Sequence, residues 1–380
     1  MFSREIWTKR IETSFQQAPI CWLSGVRRAG KTTLCQDLPG TQFFNCDLPE
    51  VAQILAEPVR FFRAVNAGTV VLDEVHQLSD PARVLKIAAD EFPNLRVVAT
   101  GSSTLAATEK FSDSLTGRKR VVHLVPVLVD ELPTFGIRSL DQRMLHGGLP
   151  QALLAAPLDR SFYSEWLDSY FARDVRELFR VEKRAGFLAL LEALLRQSGG
   201  ILEIQSMSRV SGLSRPTVMT YLDVLEVTHV LTRIRPWSGG TNDRELVQAP
   251  KAFAFDTGFV CHARGIRDIR ADDRGVLLEH LVLETMQSLS HLPRVHYWRD
   301  KAKREVDFIL PFDRDRVDAV EAKWTADAFE ARNLKAFRAT HPKGRNWLVT
   351  GQTLPTFTQQ IGGLDVTCVG IEGFRTALAA

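Results

Sequence analysis

The chain has 380 residues, enough for two or three domains. Its composition, 45% hydrophobic and 24% charged, excludes a disordered chain, a collagen-like repeat and a disulfide-stapled miniprotein. A net charge of +3 permits a nucleic-acid partner without demanding one. Cysteines 21, 35, 46, 261 and 368 are odd in number and form no Cys-x-x-Cys pair, so a reduced, cytoplasmic protein is expected. The N-terminus is charged where a signal peptide needs an apolar stretch. The run over 121–129 contains His123 and Pro126 and is far short of the ~20 apolar residues that span a bilayer, so no membrane partner is expected.

Short apolar runs alternate with helical patterns over the first 150 residues. Ile20–Leu23, Phe43–Cys46, Val70–Leu72, Val97–Ala99 and Val121–Val125 read as strands of a parallel sheet covered on both faces, an α/β arrangement. Residues 160–180 and 186–198 then read as amphipathic helices. Ile204–Val210, a turn at 211–213 and a helix from Arg215 to Glu226 follow, with Ser214 as N-cap and Pro216 in the first turn. Val230–Ile234 and Ala252–Phe255 bracket a polar loop and complete a winged-helix pattern. Beyond it, a helix over 277–289, strands at 295–298, 306–310, 317–321 and 347–350, and a helix over 326–340 make a second α/β region. The expected domains are 1–158, 159–245 and 246–380.

Residues 25–32 match G-x-x-x-x-G-K-[ST] in full, after a strand and at the start of a helix. Such a loop turns backbone N–H groups toward the phosphates of ATP. Gly25, Ala29, Gly30, Lys31, Thr32 and Thr33 are the binding candidates, with Lys31 on the β- and γ-phosphates and the Thr32 hydroxyl on Mg²⁺. Thr69-Val-Val-Leu-Asp73-Glu74 ends a strand in acids. Asp73 is expected to hold Mg²⁺ through water and Glu74 to polarise the attacking water. Thr100, Ser102 and Ser103 place hydroxyls at the end of another strand, where ligands of such sheets lie, and Ser102 is taken as a γ-phosphate sensor. Arg118 is a candidate arginine finger, in cis or toward a neighbouring subunit; a solvated basic turn is its alternative.

Near the C-terminus, Asp307 on one strand precedes Glu321-Ala-Lys323 on the next, and Glu279 lies on the upstream helix. Glu321 and Lys323 are two apart on a strand and share a face. Three carboxylates can hold one or two Mg²⁺ or Mn²⁺ ions, and Lys323 can activate water or stabilise charge in phosphodiester cleavage. A hairpin with solvated charges or structural salt bridges is the plain alternative. Lys301, Lys303 and Arg304 beside Tyr297 and Trp298 suit a nucleic-acid backbone, or a solvated turn. The second helix of the winged-helix pattern carries Asp223 and Glu226, poor electrostatics for entering a major groove, so a structural or subunit-contact role is favoured there.

The order Gly-Val-Arg-Arg-Ala-Gly-Lys-Thr-Thr-Leu, Val-Leu-Asp-Glu-Val-His, Ala-Thr-Gly-Ser-Ser, Leu-Thr-Gly-Arg118, Gly147-Gly-Leu-Pro150 and Tyr170-Phe-Ala-Arg-Asp174 resembles one prokaryotic family. Thr217-Val-Met-Thr-Tyr221, Lys251-Ala-Phe-Ala-Phe-Asp256-Thr-Gly258, Leu277-Leu-Glu279 and Glu321-Ala-Lys323 continue the likeness. It is the group of AAA+ superfamily ATPases with a C-terminal domain of unknown function related to restriction endonucleases. The resemblance implies an AAA+-type ATP-binding domain, a helical and winged-helix middle, and a PD-(D/E)xK nuclease-like C-terminal domain. It places the metal-binding acids at Glu279, Asp307 and Glu321 and the lysine at Lys323, with Val306 where the proline stands. It gives Lys251 and Asp256 no chemical role beyond a structural turn. An ATPase coupled to a nuclease acting on DNA, in mobile-element control or antiphage defence, is the leading expectation. A nucleotide-switched regulatory or scaffold ATPase is its rival, and a homo-oligomer fits either.

Overall fold

The computed structural model describes residues 2–101, 109–175, 183–239, 249–314 and 316–380. The chain forms two compact units. The first comprises Met1–Val125, Leu167–Arg180 and Val227–His229, the second Pro126–Trp166, Val181–Glu226 and Val230–Ala380.

The first unit is built on five strands: β1 (Ile20–Ser24), β2 (Thr41–Asn45), β3 (Thr69–Asp73), β4 (Arg96–Thr100) and β5 (Lys119–His123). They run in the order β2-β3-β4-β1-β5 and every pairing is parallel. The three central strands have apolar, buried interiors, Val70–Leu72, Val97–Ala99 and Ile20–Leu23, as expected of a sheet covered on both faces. The helices Pro49–Leu55, Pro58–Ala64 and Pro81–Glu91 each start on proline, whose missing N–H falls where no intrahelical acceptor exists. Asp80 caps the third by accepting from the Arg83 N–H at 3.1 Å. Trp22, Phe61, Phe62, Leu72, Leu85 and Phe111 fill the core on one face, with the Trp22 and Phe111 rings edge to face at 4.9 Å. Burying each such side chain contributes about 1.5–3 kcal/mol.

The second unit holds a mixed sheet of eight strands: β6 (Leu231–Pro236), β7 (Lys251–Ala254), β8 (His296–Arg299), β9 (Glu305–Pro311), β10 (Val317–Lys323), β11 (Asn346–Thr350), β12 (Phe357–Ile361) and β13 (Leu364–Gly370). Their order is β12-β13-β11-β10-β9-β8-β6-β7. Two helices, Ile204–Ser211 and Arg215–Val227, lie at the expected positions, with the Ser214 hydroxyl accepting from the Thr217 N–H. The antiparallel pair β6–β7 follows. Residues 240–248, which include most of the expected polar loop, lie outside the described residues. The boundary expected at 245/246 falls between these two paired strands. Moreover β6 pairs with β8 in parallel through Arg235–His296 and Pro236–Tyr297. The hairpin therefore continues the C-terminal sheet, because its backbone edge is satisfied there.

Two motifs without a chemical role acquire a physical one in this unit. The buried Asp256 carboxylate accepts from the Gly258 N–H at 2.8 Å, capping the helix Thr257–Arg264, and from the Gly148 N–H at 2.6 Å. Gly147 has φ +74°, and a Cβ there would stand 1.9 Å from Asp256 Oδ1. Only glycine lets the two segments meet. Beside them the fully buried Arg143 donates to the Val127 carbonyl at 2.7 Å and to Thr257 Oγ1 at 3.1 Å, and is ion-paired with Glu284.

Candidate active sites

The P-loop leaves the carboxyl end of β1, and the helix Lys31–Gln36 starts directly after it. At Gly25 (φ +145°) a Cβ would lie 2.4 Å from the Leu124 carbonyl oxygen, so the loop lies flush against the backbone beyond β5. The Lys31 ammonium turns back on this loop and donates to the carbonyls of Gly25 at 2.9 Å and Val26 at 3.1 Å. Burial holds its pKa below the usual lysine value, against the raising effect of Glu74, Asp174 and Asp73.

Strand β4 lies between the loop-bearing β1 and the acid-bearing β3. That order puts Thr100, at the end of β4, among the charged groups. Its hydroxyl donates to Asp73 Oδ1 and accepts from the Glu74 N–H at 3.0 Å. The Thr32 hydroxyl donates to Asp73 Oδ2 at 2.8 Å. Burial pushes the Asp73 carboxyl up, and the two hydroxyls offset this in part. Glu74 has φ +57°, a strained value for a side-chain-bearing residue of the kind that collects at functional sites. Its carboxylate meets His76 Nδ1 at 3.2 Å. This contact lowers the Glu74 pKa and raises that of His76.

Ala29 is buried within the loop and Thr33 lies in the first turn of its helix. Ser102 and Ser103 lie outside the described residues. Arg118 is placed at the other end of the sheet. Its carbonyl accepts from the N–H of Ile20, the first residue of β1, so about 16 Å of strand separates it from the loop. Its guanidinium forks onto Asp90 at 2.5 and 3.1 Å. This position does not suit a role in cis at the loop and leaves the neighbouring-subunit reading beside the basic-turn alternative.

Sequence reasoning missed three groups at this site. Asp174, in the π-helical turn Phe171–Val175, stands 3.5 Å from Arg27 of the loop. His229 Nε2 lies 2.7 Å from Ser24 Oγ at the end of β1, and its ring meets that of His123, at the end of β5, at 4.2 Å with a 48° tilt. Burial and the Lys31 charge push His229 down to about 4, and burial pushes His123 well below the usual imidazole value, so both are neutral near pH 7. Asp174 had a signal in the Tyr170…Asp174 motif; His229 had none.

In the second unit, Asp307, Glu321 and Lys323 come together as expected. The Lys323 ammonium donates to Asp307 Oδ2 at 2.8 Å and to Glu321 Oε2 at 2.9 Å. Asp307 Oδ2 also accepts from the Ala322 N–H at 2.9 Å. Glu279 takes a different partner. It faces Lys251 at 3.7 Å, and the same ammonium is paired with Glu305, which Arg299 meets at 3.2 Å. Burial and the Asp307 charge raise the pKa values of Glu279 and Glu321. Burial acts the same way on Asp307, but Lys323 and Lys251 outweigh it and hold Asp307 below the ordinary carboxylate range.

Each of the expected metal ligands Glu279, Asp307 and Glu321 is engaged by a lysine ammonium. Among the described residues no group of three or more His, Cys, Asp and Glu is placed to hold a metal ion. The reason is visible: an ammonium stands on each of the three carboxylates. Of the basic cluster, Arg304 is engaged by Asp300 at 2.6 Å, so part of its charge is spent within the hairpin. All five cysteines are free and buried. No helix among the described residues is long and apolar enough to cross a membrane.

Residues 17–132 match the family described as "AAA domain". This segment is an AAA-type, ATP-binding ATPase domain. The rest of the chain matches families described only as domains of unknown function, DUF8612 over 137–270 and DUF4143 over 274–368. Along 340 residues the chain is 27% identical to the uncharacterized proteins Rv2008c of Mycobacterium tuberculosis and Mb2031c of Mycobacterium bovis, covering 86% of this chain and 75% of each relative. The Walker-type ATPase PABY2304 of Pyrococcus abyssi is similar with a TM-score of 0.45 and 16% identity, over 70% of this chain and 96% of that one. The AAA domain accounts for the loop, Asp73 and Glu74; the matches to the second unit carry no activity with them.

Proposed function

We propose that the protein hydrolyses ATP at the AAA domain and that its nucleotide state governs the action of the second unit on DNA. The observation that carries the ATPase half is the arrangement around Thr100. One hydroxyl holds Asp73 and the Glu74 backbone together, and Thr32 closes the other side of Asp73. In this reading Lys31 exchanges two loop carbonyls for the β- and γ-phosphates. The hydroxyl of Thr32 and the carboxylate of Asp73 are adjacent hard oxygens and fit Mg²⁺. Bound there with ATP, Mg²⁺ neutralises charge on the phosphate oxygens. The Glu74 carboxylate takes a proton from the attacking water once it lets go of His76. Ser102 remains the proposed sensor of the γ-phosphate. Arg118 is proposed to act only on a neighbouring copy's nucleotide, which makes a homo-oligomer part of the proposal.

The DNA half rests on Asp307, Glu321 and Lys323 meeting at one point within an otherwise apolar sheet, an arrangement suited to phosphodiester cleavage. Mobile-element control or antiphage defence would suit such a pairing. The rival, a nucleotide-switched scaffold whose second unit only binds DNA or a protein, is favoured by the lysines that occupy the carboxylates. One experiment separates them. Supercoiled plasmid, linear duplex and single-stranded DNA are incubated with Mg²⁺ or Mn²⁺, with and without ATP, beside Glu321→Ala and Lys31→Ala. Cleavage lost in Glu321→Ala supports the nuclease, and the Lys31→Ala lane reads the gating. No cleavage of any substrate supports the scaffold.

A further inference from the structure

The two lysines of the acid cluster differ in how firmly they are held. Lys323 closes β10 with a side chain 31% exposed, so it can swing into solvent without moving backbone. The side chain of Lys251 is 5% exposed, lies over the Tyr297 ring at 5.7 Å, and starts from β7, the edge strand of the sheet, where the Lys251 backbone also bridges to Ile201. Its ammonium stands between two carboxylates, Glu279 and Glu305, that belong to a helix and to β9. A divalent cation would seek those same oxygens, and it cannot share them with an ammonium in contact.

We infer that Lys251 is a built-in cation that withholds Glu279 from metal, so that a divalent ion reaching this cluster is held by Asp307 and Glu321 without Glu279. This deepens the nuclease reading by assigning Lys251 as a positioning residue, but its test does not need cleavage. Displacing Lys323 leaves two carboxylates on neighbouring strands free to accept a cation. Lys251 has far less room to swing away, because its side chain is 5% exposed against 31% for Lys323 and its strand is paired along its length with β6. The Lys251…Asp256 motif then has two parts, a fixed ammonium at one end and the helix cap at the other.

The test is Mn²⁺ binding to the nucleotide-free full chain, read by electron paramagnetic resonance of the free ion. Lys251→Met is expected to bind Mn²⁺ at least tenfold more tightly than wild type, and Lys251→Met/Glu279→Gln to lose that gain. Lys251→Arg is expected to behave as wild type. An unchanged or weaker affinity in a folded Lys251→Met overturns the inference. Should that variant fail to fold, Glu279→Gln alone decides. A change within twofold, with at least a tenfold loss in Glu321→Gln, supports the inference, and a tenfold loss in Glu279→Gln overturns it. Plasmid cleavage is followed in the same samples. Gain of Mn²⁺ in Lys251→Met without cleavage in any variant overturns the nuclease reading alone. Cleavage by wild type with no gain in Lys251→Met overturns this inference alone.

Discussion

Each unit of the molecule places lysine ammonium groups at its site, and the two units hold them in opposite ways. Lys31 is bonded to two neutral carbonyls of its own loop, and burial depresses its pKa. Lys323 and Lys251 are bonded to carboxylates, which outweigh burial and raise theirs. An ammonium on carbonyls loses little when a phosphate replaces them, because it trades dipoles for full charges. An ammonium on carboxylates is a closed ion pair whose disruption leaves buried charge behind. The first unit is thus built to exchange its lysine's partners at little cost; in the second, the enclosed Lys251 keeps its partners, and the partly exposed Lys323 leaves its own only by uncovering two carboxylates.

The sharpest way to break this comparison is at Glu74 and Lys31. Glu74→Gln should lower the ATP hydrolysis rate by about 10²–10⁴-fold while ATP still binds. Lys31→Met should lose hydrolysis comparably and bind ATP weakly. Steady-state phosphate release and nucleotide fluorescence separate the two.

Thermal and urea unfolding test the other side. Lys323→Met should destabilise the second unit by about 2–3 kcal/mol, less than a fully buried pair loses because Lys323 is partly exposed. Lys31→Met should stay within about 1 kcal/mol of wild type, since only carbonyl partners are lost. Equal costs would remove the distinction between the two lysines. Asp256→Ala, which leaves two N–H groups without their acceptor, should cost about 2–4 kcal/mol in the same assay.

A pH profile refines the picture within the first site. His76 is raised above its ordinary 6.5, so the stability it lends through Glu74 is complete below pH 6.5 and is lost as pH rises through the raised value. Glu74 is lowered below 4.5, so its share is present above pH 4.5 and is lost as pH falls through the lowered value. Hydrolysis should therefore rise several-fold as pH passes through the raised His76 value, above 6.5, and Glu74 is released, and His76→Asn should flatten that limb. The smallest effect is expected at Arg118. Arg118→Ala should change hydrolysis less than about twofold in dilute protein, where no neighbouring copy's nucleotide is in reach and only an exposed ion pair with Asp90 is lost. A large loss that grows with protein concentration would place it at a neighbour's nucleotide, and mass photometry with ATP would show the assembly.

The parts legible in the sequence were those written in consecutive residues. The loop at 25–32, the acids ending β3 and the runs that became β1–β5 each declare themselves within about ten residues. The meeting of Asp307, Glu321 and Lys323 was legible because a hairpin joins adjacent strands. Lys251 was not read as a partner of Glu279, because its contact is set by how β7 and a distant helix pack. His229 was hidden for the same reason. Strands β12 and β13 were missed for a different one: Phe357–Ile361 is polar and largely exposed, and Leu364–Gly370 interrupts its buried Val366 and Cys368 with Asp365 and Thr367, so neither shows the apolar run that marks the others. The Gly362-Gly363 pair between β12 and β13 was the available hairpin signal.

The composition of the first unit has a consequence for how the protein is made. Its five strands are complete by residue 123, yet the unit includes Leu167–Arg180 and Val227–His229. Asp174 and His229 supply partners for Arg27 and Ser24 from those later stretches. At about 5–20 residues per second, a ribosome needs about 5–20 s to travel from residue 125 to residue 229. For that interval the nascent sheet carries a phosphate loop that lacks its Asp174 and His229 contacts. An ATP pocket assembled in this order cannot be finished until the chain beyond it has been synthesised, and a shortened gene ending at residue 132 would encode the sheet without those two contacts.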